Sequence, residues 1–106
     1  MNKKQITSEL RVGIGYDLHR LTKNKKLFLA GVEVEVPFGL KSHSDGDVIL
    51  HSVCDAILGA CALPDIGQLF PDTDPNIKGI DSKLIAKKVL DLVNKKKFSL
   101  VNLDIV

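Results

Sequence analysis

Three histidines, each with an aspartate close by, are the residues of this chain whose types and spacing could do chemistry. His19 closes the run Gly15-Tyr16-Asp17-Leu18-His19, and His43 and His51 bracket Ser44, Asp45 and Asp47. Asp17, His19 and His51 together offer one oxygen and two nitrogen donors. That set suits zinc with an open fourth position, the pattern of a catalytic rather than a structural site. His43 and Ser44 stand just before a helix start, where free backbone N–H groups favour an anion, above all a phosphate. Each feature also has a plainer reading. Asp-x-His by itself is a weak signal, and Ser44 could simply cap the helix. The metal reading gains from all three histidines falling in such clusters.

The elements that must position these groups follow from periodicity. Leu10, Val12 and Ile14 alternate with Arg11, Gly13 and Gly15, the pattern of a half-buried strand. Asp17 and His19, two apart at its end, point to one side. After a lysine loop, Lys23 to Lys26, a second extended run covers 27–36 and closes at Pro37 and Gly39. With Ser44 or Asp45 as N-cap, a helix is expected over 46–63, stopped by Pro64. Its apolar face would be Ile49, Leu50, Val53, Ala56, Ile57 and Ala60, directed at the sheet. Asp47, His51 and Asp55 at i, i+4 and i+8 form a polar stripe, so Asp47 or Asp55 is expected to hold His51 from behind the metal. Pro64 to Pro75 combines prolines, aspartates and large apolar residues. It is too apolar for a linker and too broken for a helix, and it reads as a mobile substrate loop ordered on binding. Asp81 should cap a second helix over 82–96, with Leu84, Ile85, Val89, Leu92 and Val93 on its buried stripe. Val101, Leu103 and Ile105 alternate as a third strand.

The order ββααβ implies an α+β fold, two helices on one face of a mixed sheet as in a ferredoxin-like sandwich. Residues 1–9 read as a disordered N-terminal tail, and 10–106 as one domain. The composition is that of a globular protein, 44% hydrophobic and 26% charged, with a net charge of +2. So small a domain is marginal alone, which makes an oligomer expected. The lysines at 23–26, 87–88 and 95–97 read as solvated ends, not the basic stripe with interleaved aromatics that nucleic acid requires. No run reaches transmembrane length and the N-terminus lacks a signal-type apolar core, so neither nucleic acid nor membrane is an expected partner. Cys54 and Cys61 sit about 10 Å apart along one helix. That is too far for a disulfide, and a cytoplasmic location is expected.

From residue types and spacing alone, the reading is a metal-dependent enzyme acting on a phosphorylated small molecule. Two rivals use the same residues: a metal-dependent phosphohydrolase, and a non-catalytic zinc-binding module, in which the metal would be closed off and its removal would unfold the domain.

Three segments carry a more specific resemblance. Gly15-Tyr16-Asp17-Leu18-His19, then Ser42-His43-Ser44-Asp45-Gly46-Asp47-Val48 with His51, then Asp65-Ile66-Gly67 through Phe70-Pro71-Asp72-Thr73-Asp74, resemble the 2-C-methyl-D-erythritol 2,4-cyclodiphosphate synthase family. The match runs from about Arg11 to the end of the sequence. The resemblance implies a phosphorus–oxygen lyase of non-mevalonate isoprenoid-precursor (terpenoid) synthesis. It would convert 4-diphosphocytidyl-2-C-methyl-D-erythritol 2-phosphate to the 2,4-cyclodiphosphate and release CMP. It implies a homotrimer with sites between neighbours, and zinc, or another divalent cation, at Asp17, His19 and His51. His43 would act catalytically and, with Ser44, hold the methylerythritol phosphate. Ile66, Phe70 and Asp72 would line that pocket, and Asp65 and Gly67 would meet the ribose. Asp17, Leu18, His19, Pro71, Thr73 and Asp74 complete the implied substrate-binding set. The family continues beyond the position of Val106, with a cytosine pocket, further sheet and a Glu for a second cation, magnesium or manganese. The fold is accordingly expected to be incomplete at the C-terminus and the activity of the chain by itself weak.

Overall fold

The computed structural model describes residues 9–106. The expected disordered tail, Glu9 apart, lies outside the described residues. The architecture is α+β. Strands β1 (Leu21–Lys23), β2 (Leu27–Leu29), β3 (Val32–Val34) and β4 (Phe38–Leu40) precede helices α1 (Val48–Ala60), α2 (Ile66–Leu69) and α3 (Ser82–Lys95), with a 3-10 turn at Pro75–Ile77 before α3. β1 pairs antiparallel with β4, Thr22 opposite Gly39, and β2 pairs antiparallel with β3, Phe28 opposite Glu33.

The extended run expected over 27–36 is thus a hairpin. Ala30 and Gly31 both have positive φ, 53° and 79°, as a two-residue hairpin turn matching the strand twist requires. Alanine is a poor choice for that conformation. Asp47 explains its presence, because its carboxylate accepts from the N–H groups of Ala30 (3.0 Å) and Gly31 (2.7 Å). The same carboxylate caps α1 by accepting from Leu50 N at 3.0 Å. Asp47, and not Ser44 or Asp45, is therefore the N-cap. The helix starts at Val48 because Gly46, with φ of 79°, is outside the helical region. At the other end Ala62 takes φ of 55° and Leu63 N donates to Leu58 O at 2.9 Å. That left-handed cap ends α1 before Pro64 is reached.

α1 and α3 pack through Cys54, Leu58 and Cys61 against Ile85, Val89 and Val93. Here the expected helix face needs correcting. The buried residues of α1 are His51, Cys54 and Leu58, whereas Ile49, Val53 and Ile57 are only half-buried. The helix is rotated because its other flank is covered by the backbone of the segment 13–15, not by a sheet of side chains. Gly13 and Gly15 lie flush on α1, so a Cβ there would overlap the Ala56 and Ser52 carbonyls. Consequently Leu10, Val12 and Ile14, expected to be the buried side of a strand, point outward and are 85–93% exposed. Neither 10–14 nor 101–105 forms a strand among the described residues, and the sheets present are antiparallel pairs rather than one mixed sheet. α3 runs as expected from its Asp81 cap, except that Leu84 is more than half exposed. No helix among the described residues is long and apolar enough to cross a membrane.

Candidate metal centre

Asp17 and His19 are delivered by the segment that Gly13 and Gly15 dock on α1. Along it, burial alternates: Gly15, Asp17 and His19 turn inward, while Tyr16, Leu18 and Arg20 face out. The inward residues that follow Gly15 therefore arrive beside His51 on the buried side of α1. Asp17 Oδ2 lies 2.7 Å from His19 Nε2 and 3.3 Å from His51 Nδ1, and the two ring nitrogens are 3.3 Å apart. The rings stand edge to face at 76°.

The donor set fits a metal ion on an observation independent of spacing. Asp17 Oδ2 is buried and accepts no hydrogen bond, although two imidazole nitrogens are within 3.3 Å. One donor atom from each of the three residues lies within 4.8 Å of the others, near enough to share one cation. Ligand atoms on tetrahedral zinc sit roughly 3.3 Å from one another, close to two of the three separations. Burial by itself would raise the Asp17 carboxyl, but the facing His51 and His19 rings outweigh it and hold the group below its usual range. Asp17, His19 and His51 can hold a metal ion.

Behind the cluster, His51 Nε2 lies 2.8 Å from Ser82 Oγ and 3.1 Å from Ser44 Oγ. Ser82 Oγ in turn donates in a short hydrogen bond to Asp45 Oδ1, and Ser82 N donates to Asp45 Oδ2 at 3.0 Å. The expectation that Asp47 or Asp55 backs His51 is wrong. Asp47 is used by the α1 cap and the hairpin, and Asp55 accepts from Ile66 N at 2.9 Å, anchoring α2. Side chains four apart on a helix share a face but need not touch, and backbone N–H groups claimed both carboxylates first.

The loop 41–47 is clamped from two sides. Lys25 Nζ donates to the carbonyls of Leu40 (2.6 Å), Ser44 (3.0 Å) and Ser42 (3.3 Å). Burial lowers its pKa, and the charge of Asp45 works the other way. From the α3 side Gly79 N donates to His43 O at 2.6 Å and Asp45 N to Ile80 O at 3.1 Å. His43 Nε2 is 2.8 Å from Asp74 O, so His43 joins the cluster's loop to the segment 71–75.

That segment is less broken than expected. Asp65 caps the single turn α2 by accepting from Gln68 N at 2.9 Å, and Asp74 caps the 3-10 turn through Asn76 N. Ile66, Leu69 and Phe70 pack against the α1–α3 core. Phe70 lies beneath Lys88 in an open groove with Ile77, Ile80 and Leu84. Gly67, Pro71, Asp72 and Thr73 are exposed, as is Leu18. The structure thus brings Asp17, His19, His51 and Ser44 together, and His43, on the same loop as Ser44, meets Asp74 of the following segment. Ser82, Asp45 and Lys25 were not read as partners of this site. Their contacts span 15 to 37 residues, and no local pattern encodes them.

The model of the YgbB family matches residues 10–106. The chain belongs to the YgbB family. Among curated proteins, the 2-C-methyl-D-erythritol 2,4-cyclodiphosphate synthase of Leptospira interrogans is 56% identical over 89% of this chain and 60% of its own length. The chain therefore spans about three-fifths of that relative. A solved 2C-methyl-D-erythritol-2,4-cyclodiphosphate synthase superimposes with a TM-score of 0.76 at 45% identity, covering 82% of this chain and 58% of the other. The Plasmodium falciparum IspF, solved as a CDP complex, does so with a TM-score of 0.64 at 39% identity, over 81% and 51%. The family resemblance read from the Gly15–His19, Ser42–Val48 and Asp65–Asp74 segments is borne out, and with it the α+β fold.

Proposed function

We propose that this YgbB-family chain carries the metal-binding part of a 2-C-methyl-D-erythritol 2,4-cyclodiphosphate synthase. The observation that carries the reading is that Asp17 Oδ2, His19 Nε2 and His51 Nδ1 lie within 3.3 Å of one another. Relatives of that name, one at 56% identity and one solved with CDP at 42%, support the substrate, 4-diphosphocytidyl-2-C-methyl-D-erythritol 2-phosphate. In the reaction an oxygen of the 2-phosphate attacks the outer phosphorus of the diphosphate. One P–O bond forms and the P–O bond to the cytidylyl phosphate breaks, so CMP leaves with the bridging oxygen and the ring closes. This is a cyclising phosphorus–oxygen lyase reaction.

A phosphate nucleophile is already ionised near neutral pH, so no strong general base is needed. The work is charge neutralisation and in-line positioning, and joining two ends of one bound molecule makes proximity a large contribution. Zinc on the Asp17 set would supply Lewis-acid polarisation of a phosphoryl oxygen. The chain's own residues do the rest. His43 and Ser44, on a loop held by Lys25 and Gly79, present donors to the phosphates. Asp65, Ile66, Gly67, Phe70, Pro71, Asp72, Thr73 and Asp74 form the substrate-facing edge, with Leu18 beside the metal ligands. A magnesium or manganese ion is the second cation of this reading. Among the described residues no other cluster of metal-ligand type accompanies the first. A homotrimer, supported by the exposed apolar run at 10–18, and a cytoplasmic location, supported by the unbridged Cys54 and Cys61, complete the proposal.

The test is to incubate the chain, with zinc and magnesium, with the cytidylyl substrate. CMP and the cyclic diphosphate in equal amounts are expected. Inorganic phosphate without a cyclic product would sink this reading in favour of the phosphohydrolase. Tight zinc binding with no turnover, in the chain and in a full-length counterpart alike, would favour the binding module.

A further inference from the structure

The protons around His51 can be counted, and the count selects one tautomer. Asp45, as a carboxylate, can only accept. It takes the N–H groups of Ser82 (3.0 Å) and Asp47 (3.1 Å) and the hydroxyl of Ser82. The single Ser82 proton is thereby committed to Asp45. Ser82 Oγ, 2.8 Å from His51 Nε2, can then engage the ring only as an acceptor, so Nε2 must carry the proton. Nδ1 is left with its lone pair, and Nδ1 is the atom that faces Asp17 Oδ2 and His19 Nε2. Ser44 Oγ is farther, at 3.1 Å; it accepts from Gly46 N, and its own proton has Ser42 Oγ at 3.2 Å to go to, so it too can meet Nε2 as an acceptor. Ser82 is fully buried and His51 nearly so, so water does not compete for these bonds.

We propose that Ser82 and Asp45 are positioning residues that lock His51 in its Nε2–H tautomer and aim Nδ1 into the metal site. The inference rests on the metal reading of the Asp17 cluster for its consequence, but the tautomer lock stands on the hydrogen bonds alone. It also gives α3 a role in the site: its first residue orients a ligand carried by α1. A hydroxyl relay of this kind to a ligating histidine is worth about ten- to a hundredfold in metal affinity.

Two measurements on the 106-residue chain test it. The first is the two-bond proton–nitrogen NMR pattern of the His51 ring without metal. A single Nε2–H tautomer is expected in the wild type, and a mixture in Ser82→Ala and Asp45→Asn. The second is zinc affinity by chelator competition. It should fall about ten- to a hundredfold in both variants and return in Ser82→Thr, with helical circular dichroism unchanged throughout. An Nδ1–H ring in the wild type would overturn the lock whatever the variants do. So would wild-type zinc affinity in folded Ser82→Ala, or a tautomer lost on Ser44→Ala and kept in Ser82→Ala. A wild-type chain that binds no zinc yet holds His51 as Nε2–H supports the lock and sinks the metal reading instead.

Discussion

At the scale of single residues, His51 is the centre of the site, because both of its ring nitrogens are engaged while it is buried. Removing the ring takes away a metal donor and also leaves Ser82 and Asp17 facing a void. His51→Ala should therefore lose most of its zinc, and elemental analysis after dialysis reads this directly. Full occupancy in that variant would mean the ligand set is wrong. Cys54, three residues on, shows what burial does to a group with no partner. Burial, and secondarily the charges of Asp55 and Asp47, push its thiol from 9.0 up to about 11. A raised folded pKa means that the stability it contributes is intact below 9.0 and is lost as pH rises from there through 11. The loss is on the order of 2–3 kcal/mol at full titration. Urea melts at pH 8 and pH 10.5 should show this decline in the wild type and a smaller one in Cys54→Ala. Equal declines would show that the thiol titrates normally.

At the scale of elements, the contact between the segment 13–19 and α1 decides whether the metal ligands meet. It has no side chain at its closest points, only Gly13 and Gly15 against helix carbonyls. Gly15→Ala is expected to push the segment off the helix, costing about 3 kcal/mol or more and lowering zinc affinity at least tenfold, although no ligand is changed. A thermal melt and a zinc titration of the variant check both halves, and a neutral result on both would mean the segment is held by something else. The segment 64–75 is the other element with a functional assignment. Its two short helical turns are capped by Asp65 and Asp74 and anchored through Asp55, but most of its residues are exposed. Hydrogen exchange at Gly67 to Thr73 should slow on adding CDP and methylerythritol phosphate. Unchanged protection would remove this segment from the substrate site.

At the scale of the whole molecule, the described fold is longer and thinner than a self-sufficient domain. Its radius of gyration is 15.9 Å, against roughly 13 Å for a compact chain of this size. Leu10, Val12, Ile14, Tyr16 and Leu18 present one continuous outward stripe, each at least 77% exposed. Monomeric proteins rarely leave such a stripe open to water. Copies of the chain burying it against one another would account for it, in keeping with the proposed trimer. Ile14→Lys is then expected to shift sedimentation from trimer toward monomer while zinc binding per chain is retained, because Ile14 points away from the metal ligands. A wild-type chain that sediments as a monomer would remove the assembly from the proposal.

What the amino-acid order determined by itself was local. Asp17, His19 and His51 were legible as a ligand set because donor chemistry is a property of residue type, and α3 was legible from its cap and its 3.6-residue stripe. The family was legible because its motifs are strings. The alternation of Leu10, Val12 and Ile14 was legible too, but periodicity says only that two faces differ. Which face turns inward was decided by the fit of two glycines on the α1 backbone, a contact across some 40 residues. The same holds for Asp47. Its spacing from His51 suggested a partner, but its carboxylate went to the nearest unsatisfied N–H groups, at the helix start and the Ala30–Gly31 turn. The Asp45–Ser82–His51 chain and the Lys25 clamp were invisible for one physical reason. A hydrogen bond between residues far apart in sequence exists only once packing has brought its donor and acceptor within about 3 Å.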